Sequence, residues 1–279
     1  MTTQPAGRMP AVFVGHGSPM NTLESNRHTA AWAEFGASVP RPRAILAVSA
    51  HWWIGSTLVT AMDRPRTIHD FCGFPDELFA FDYPAEGSPD LAVRVIEALA
   101  PVWVGADRDG WGIYHGTWSV LAHMFSAADV SVVQLSLDAT KSFADHVALG
   151  RALAPLFDEG VLVLCSGNVV HNLGRLDWSS GFTGEPWAAE FDAHVARTLV
   201  SDSASLAAAP GHPAWALSAP TPDHFVPALY FAGLAAAGGS VRTLAKGVCD
   251  GDTVDVELGA RLIRSRRGCP PRTRGPAAG

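Results

Sequence analysis

The chain has 279 residues, of which 48% are apolar and 17% charged, with a formal charge of −7. That is enough apolar material for one sizeable core, and it excludes a disordered, collagen-like or coiled-coil chain. The acidic balance also argues against a protein whose main work is holding nucleic acid.

In chain order, residues 11–15 (AVFVG) and 44–50 (AILAVSA) are short, nearly continuous apolar runs, the pattern of strands buried on both faces. Residues 57–62, 131–137 and 161–165 repeat it. Helices are expected between them, at 89–100, 117–125, 142–157, 186–200 and 225–237. In the first of these, Leu91, Val95, Ile96 and Leu99 fall on one helical face. Strands alternating with helices predict an α/β fold around a largely parallel or mixed sheet, as one domain over residues 1–260.

Beyond it the charge changes character. Arg261, Arg264, Arg266, Arg267, Arg272 and Arg274 occur in a stretch with no acid, leaving 14 basic against 27 acidic groups elsewhere. Residues 261–279, rich in Arg, Pro and Gly, read as a disordered tail whose removal leaves activity intact. Cys72, Cys165, Cys249 and Cys269 form no CxxC pair, so neither a disulfide scaffold nor a cysteine zinc site is expected. The opening MTTQPAGRMP lacks a secretory apolar segment, and no run approaches the ~18 apolar residues of a membrane span. A cytoplasmic protein without membrane or nucleic-acid partners is the expectation; the sequence gives no oligomeric state.

The histidines carry the chemistry. His16 and His51 each follow an apolar strand, and the carboxyl ends of strands in open α/β sheets form the ligand crevice. His171 lies just past a third strand. His115 and His224 stand at loop-to-helix entries among Gly and Pro residues, which allow close approach. Imidazole is both a common metal ligand and the acid/base group suited to neutral pH. His28, His123, His146, His194 and His212, in or beside helices or in a polar loop, read as packing or surface residues. No nucleophile elbow, Walker A, dinucleotide fingerprint or HExxH motif occurs. Ser18 beside His16 therefore reads as a turn residue; Glu24 and Asp70 are carboxylates that could enter a metal shell, and each reads first as a helix-start or turn residue.

At these residues the chain resembles the class III extradiol ring-cleavage dioxygenases, in the DOPA 4,5-dioxygenase branch. The stretches that carry the resemblance are PAVFVGHGSPMNTLE (10–24), ILAVSAHW (45–52), TIHDFCGFP (67–75), HGTW (115–118), SGNVVHNL (166–173) and TPDHFVPALY (221–230). It implies a mixed central β-sheet flanked by helices and one divalent metal per chain. His16, His51 and His224 would be its ligands. His171 and His115 would be the catalytic acid/base groups, and a catechol and O2 the substrates. Three neutral imidazoles suit zinc(II) as well as iron(II), so the metal stays open. A zinc hydrolase on the same three histidines, or a metal-binding protein without oxygenase activity, are the alternatives. Tyr114 stands where the family carries Asp and Phe225 where it often carries Tyr, which separates the substrate question from the ligand assignment. Trp52, Trp118, Phe71 and Phe74 are candidate pocket walls, and His69 a candidate substrate contact.

Overall fold

The computed structural model describes residues 8–175, 185–238 and 241, so the tail expected at 261–279 lies outside the described residues. Its strands are β1 (Ala11–Gly15), β2 (Ala44–Ile54), β3 (Leu58–Thr60), β4 (Arg66–Ile68), β5 (Gly105–Asp107), β6 (Gly112–Tyr114), β7 (Ser131–Asp138) and β8 (Val161–Gly167). Six of them form one sheet in the order β1-β8-β2-β7-β3-β5, and β4 pairs with β6 apart from it. Neighbours among β1, β8, β2 and β7 are parallel, whereas β3 runs antiparallel to β7. The sheet is therefore mixed, as expected.

Period-two alternation divides the sheet into two buried faces. Val12, Val14, Ile45, Ala47, Leu162 and Leu164 pack beneath α1 (Arg27–Ser38) and α4 (His115–Met124). Leu46, Val48, Val163 and Cys165 point the other way, into a core closed by α3 (Pro89–Leu99), α5 (Phe143–Ala152), α6 (Pro186–Ser201) and α8 (Val226–Ala236). Both faces being covered is why the strands read as continuous apolar runs. The short helices α2 (Asp76–Phe79) and α7 (Trp215–Ser218) lie in the connecting loops.

Four differences from the sequence reading have local causes. Helix α1 was not foreseen; Asn26 starts it with a reciprocal capping box to Thr29, and its buried stripe is only His28, Thr29, Trp32 and Phe35. The stretch 142–157 is not one helix. It stops at Ala152, and Ala154–Glu159 continues as a 3-10 turn carrying Pro155, whose ring and missing N–H end the α-helical ladder. The small β4–β6 sheet had no apolar run to announce it. Strand β2 runs on to Ile54, so His51 lies inside it and not past its end.

Candidate active site

The parallel arrangement of β1, β8 and β2 brings their carboxyl ends together. Val14 and Ser49 are both in register with Ser166 on β8. His16 emerges just after β1. His51 lies where β2 loses its pairing with β7, which is regular to Val48 and resumes at Trp53. That irregularity re-aims the side chains between them, a usual service of a bulge beside a site.

Helix α4 then presses its first turn onto these groups. A Cβ at Gly116 would stand 2.7 Å from His51 Cδ2 and from Ser49 Oγ, and 3.1 Å from His16 Cε1. Only glycine lets His115, at the helix start, come this near. From the opposite side, the Asn168 N–H donates to the His224 carbonyl at 2.8 Å. Gly167 lies against the same carbonyl, where a Cβ would come within 2.2 Å. His171 is anchored by its N–H to the Ser218 carbonyl at 2.7 Å and stacks on His224, the ring centroids 3.4 Å apart and 9° from parallel.

All five histidines singled out in the sequence thus meet at one place. The centroids of His16, His51 and His224 form a near-equilateral triangle with sides of 4.8, 5.3 and 5.0 Å. His115 lies 3.7 Å from His51, and His16, His51 and His115 each offer a ring nitrogen within 4.8 Å of the others.

Hydrogen bonds fix which nitrogen faces inward. Ser166 Oγ donates its one hydrogen to the Gly116 carbonyl, so it accepts from His16 Nδ1 at 2.8 Å. Asp70 accepts from His51 Nδ1 at 2.9 Å and from His115 Nδ1 at 2.6 Å. Asp223 accepts from His224 Nδ1 at 2.8 Å. Each ring is left with a lone pair on Nε2. The Nε2 atoms of His16 and His51 are 3.0 Å apart, an approach of two lone pairs that a cation relieves. The donor set therefore fits one metal ion, with carboxylate or hydroxyl partners behind the imidazoles.

Burial keeps His16, His51, His171 and His224 neutral. Burial, then the neighbouring imidazoles, hold His16 well below its ordinary pKa. Burial and His115 pull His51 down to about 4 against the opposing effect of Asp70. Burial takes His224 to about 3 although Asp223 works against it, and also lowers His171. Burial pushes the Asp70 carboxyl up, but its contacts with His115 and His51 outweigh that and hold it ionised, well below the carboxylate range. Neutral imidazole is the form that binds metal.

An aromatic wall stands beside His115. Phe71 lies 5.4 Å from it edge-on and touches Phe74, Phe79, His69 and Trp118. His69 meets the Phe81 carbonyl through Nε2 at 2.9 Å. Trp52 is buried against Trp111, apart from this wall. Phe225 is buried among Phe143, Phe191 and Trp215, so its missing hydroxyl belongs to the core. Ser18 caps a 3-10 turn by accepting from the Met20 N–H at 3.2 Å, a turn residue as expected.

Sequence reasoning missed Ser166, Asp223 and Gly116 and misread Asp70. Asp223 was visible as the neighbour of His224. Ser166 had no signal beyond its place at a strand end.

Residues 10–248 match the family described as the catalytic LigB subunit of aromatic ring-opening dioxygenase. The chain belongs to this family and is an extradiol ring-opening dioxygenase. It is 48% identical over 230 residues to a protein of Escherichia coli (strain K12) named 4,5-DOPA dioxygenase extradiol, covering 81% of this chain and 85% of that one. A protein of the same name from Beta vulgaris is 39% identical over 225 residues, covering 77% and 82%. The crystal structure of an uncharacterized protein from Escherichia coli K12 superposes with a TM-score of 0.76 at 41% identity, over 88% of this chain and 97% of that one. No helix among the described residues is long and apolar enough to cross a membrane.

Proposed function

We propose that this enzyme opens the ring of DOPA, or of a catechol closely like it, using O2 and one iron(II) ion held by Nε2 of His16, His51 and His224. The observation that carries this reading is the fixed tautomer of these rings: with every Nδ1 occupied as a donor, the Nε2 lone pairs are left for a cation. DOPA as substrate rests on the names of the relatives. Iron rests on the reaction, since zinc fits three neutral imidazoles equally but has no redox chemistry to offer dioxygen.

When bound, the metal supplies a Lewis acid that favours the catecholate and brings both reactants together. The chain's own residues handle orientation and protons. His115 donates Nδ1–H to Asp70 and keeps Nε2 as a base for a catechol hydroxyl proton. The proton taken up by His115 is the one returned as the ring opens, with His171, stacked on His224, as the second imidazole beside the substrate. Phe71 and its neighbours bound the slot for the aromatic ring. The carbon–carbon bond just outside the two hydroxyl-bearing carbons breaks, and both atoms of O2 enter the product, so no further reductant is consumed.

The test is anaerobic loading with Fe(II), then L-DOPA in air, with oxygen uptake and absorbance followed together. The expected result is one O2 consumed per L-DOPA and a yellow ring-opened product. Turnover of other catechols with none of L-DOPA overturns the substrate, and equal turnover with Zn(II) overturns the metal. Ester hydrolysis with Zn(II), and no oxygen uptake with any catechol, would replace the whole reading by a zinc hydrolase.

A further inference from the structure

Asp70 lies at the end of a device whose parts are the small β4–β6 sheet and the start of α4. The two strands end in register, Ile68 opposite Tyr114. Asp70, two residues past Ile68, and His115, one past Tyr114, meet beyond the strand ends. Trp118 Nε1 donates to the Ile68 carbonyl at 2.9 Å and ties the segment to α4. The result is one mostly buried carboxylate with a different imidazole on each oxygen: Oδ2 accepts from His51 and Oδ1 from His115.

We propose that Asp70 is a positioning residue that sets the tautomers of His51 and His115 together, making one a metal ligand and the other a base. The inference rests on the reading that His51 binds the metal and His115 handles a proton. A carboxylate has two acceptor oxygens and no hydrogen, so both rings must direct Nδ1–H toward it and leave Nε2 bare. No other side-chain type of this size does this for two donors at once. The small sheet then has a purpose: it delivers the acceptor that joins the metal site to the acid/base group.

The arrangement predicts an asymmetric response to Asp70→Asn. Oδ1 also lies 3.5 Å from the backbone N–H of His115, so the amide oxygen takes the side where two donors point. The amide NH2 then faces His51 Nδ1. That ring must accept there, which moves its hydrogen to Nε2 and removes it as a ligand. Asp70→Ala abolishes both interactions, and Asp70→Glu keeps two acceptors at a longer reach.

The experiment measures Co(II) and Zn(II) affinity of the metal-free full chain by titration calorimetry and the Co(II) absorption spectrum, with apoprotein melting temperature as the control for folding. Asp70→Asn is expected to weaken metal binding by about 10–100-fold with an unchanged melting temperature, and Asp70→Glu to recover part of the loss. At saturating metal, Asp70→Ala should turn over roughly tenfold more slowly than Asp70→Asn, because His115 also loses its acceptor. Wild-type metal affinity in Asp70→Asn overturns the inference, and so does equal turnover of the Asn and Ala variants. His16→Ala separates the two levels. If it retains metal, the reading of the site itself fails; if it loses metal while Asp70→Asn does not, only the inference about Asp70 fails.

Discussion

Nε2 of His16 stands 3.0 Å from Nε2 of His51, and each ring has already committed its Nδ1 hydrogen, one to Ser166 and one to Asp70. Two lone pairs so close repel in the absence of a cation, so this pair is where the proposed metal would sit. His16→Ala and His51→Ala are each expected to reduce metal content of the purified protein by an order of magnitude or more, as read by elemental analysis per chain. Either variant carrying a full complement of metal contradicts the assignment.

His115 and His224 compete for the third position: nitrogen spacing groups His115 with His16 and His51, and the proposal of His224 rests on its separate acceptor. His224 faces the pair with its own acceptor, Asp223, whereas His115 lies against His51 and shares its carboxylate. His224→Ala should lose the metal. His115→Ala should keep it and lose about 10²–10⁴-fold in kcat, the usual worth of a positioned acid or base. The reverse pattern in metal content would exchange their roles.

Gly116 is the place where α4 touches the site. An alanine there puts a methyl group 2.7 Å from His51 Cδ2 and Ser49 Oγ, and both residues belong to β2, whose backbone is held in the sheet. Gly116→Ala is therefore expected to displace His51, weakening metal binding by roughly tenfold or more. Its far-ultraviolet circular dichroism should stay that of the wild type. Wild-type affinity in this variant would mean that α4 can shift away without cost.

The five histidines and five of the six strands of the main sheet were legible because apolar runs and strand-end placement are local signals, whereas β5 has no apolar run. The missing pieces belong to relations between distant segments. Ser166 lies 150 positions from His16 in sequence, and its place beside that ring follows only from the β1–β8 register. Asp70 could be seen but not understood, since its two partners, His51 and His115, meet it only when β4 pairs with β6. Helix α1 escaped for another reason. Its inward stripe includes His28 and Thr29, and alanines dilute the rest, so the helical period in hydrophobicity is shallow.

His146, read from sequence as a packing residue, has a consequence for stability. It is fully buried on α5 beside Tyr230 and Trp53, and neither ring nitrogen has a hydrogen-bond partner. Burial lowers its pKa to about 4, outweighing the carboxylates of Asp138 and Asp145. The unfolded chain binds this proton near pH 6.5, so between pH 6.5 and 4 it holds more protons than the native state and stability falls as pH falls. The slope is about 1.4 kcal/mol per pH unit and the accumulated loss roughly 3 kcal/mol, with no further contribution below pH 4. His16, His51, His171 and His224 are lowered in the same direction, so the measurement is a difference: urea unfolding of wild type and His146→Leu, at pH 7 and at pH 4.5. His146→Leu should lose about 2–3 kcal/mol less over that interval. Equal losses in the two proteins would show that His146 finds a proton acceptor in solution that the packed core does not provide.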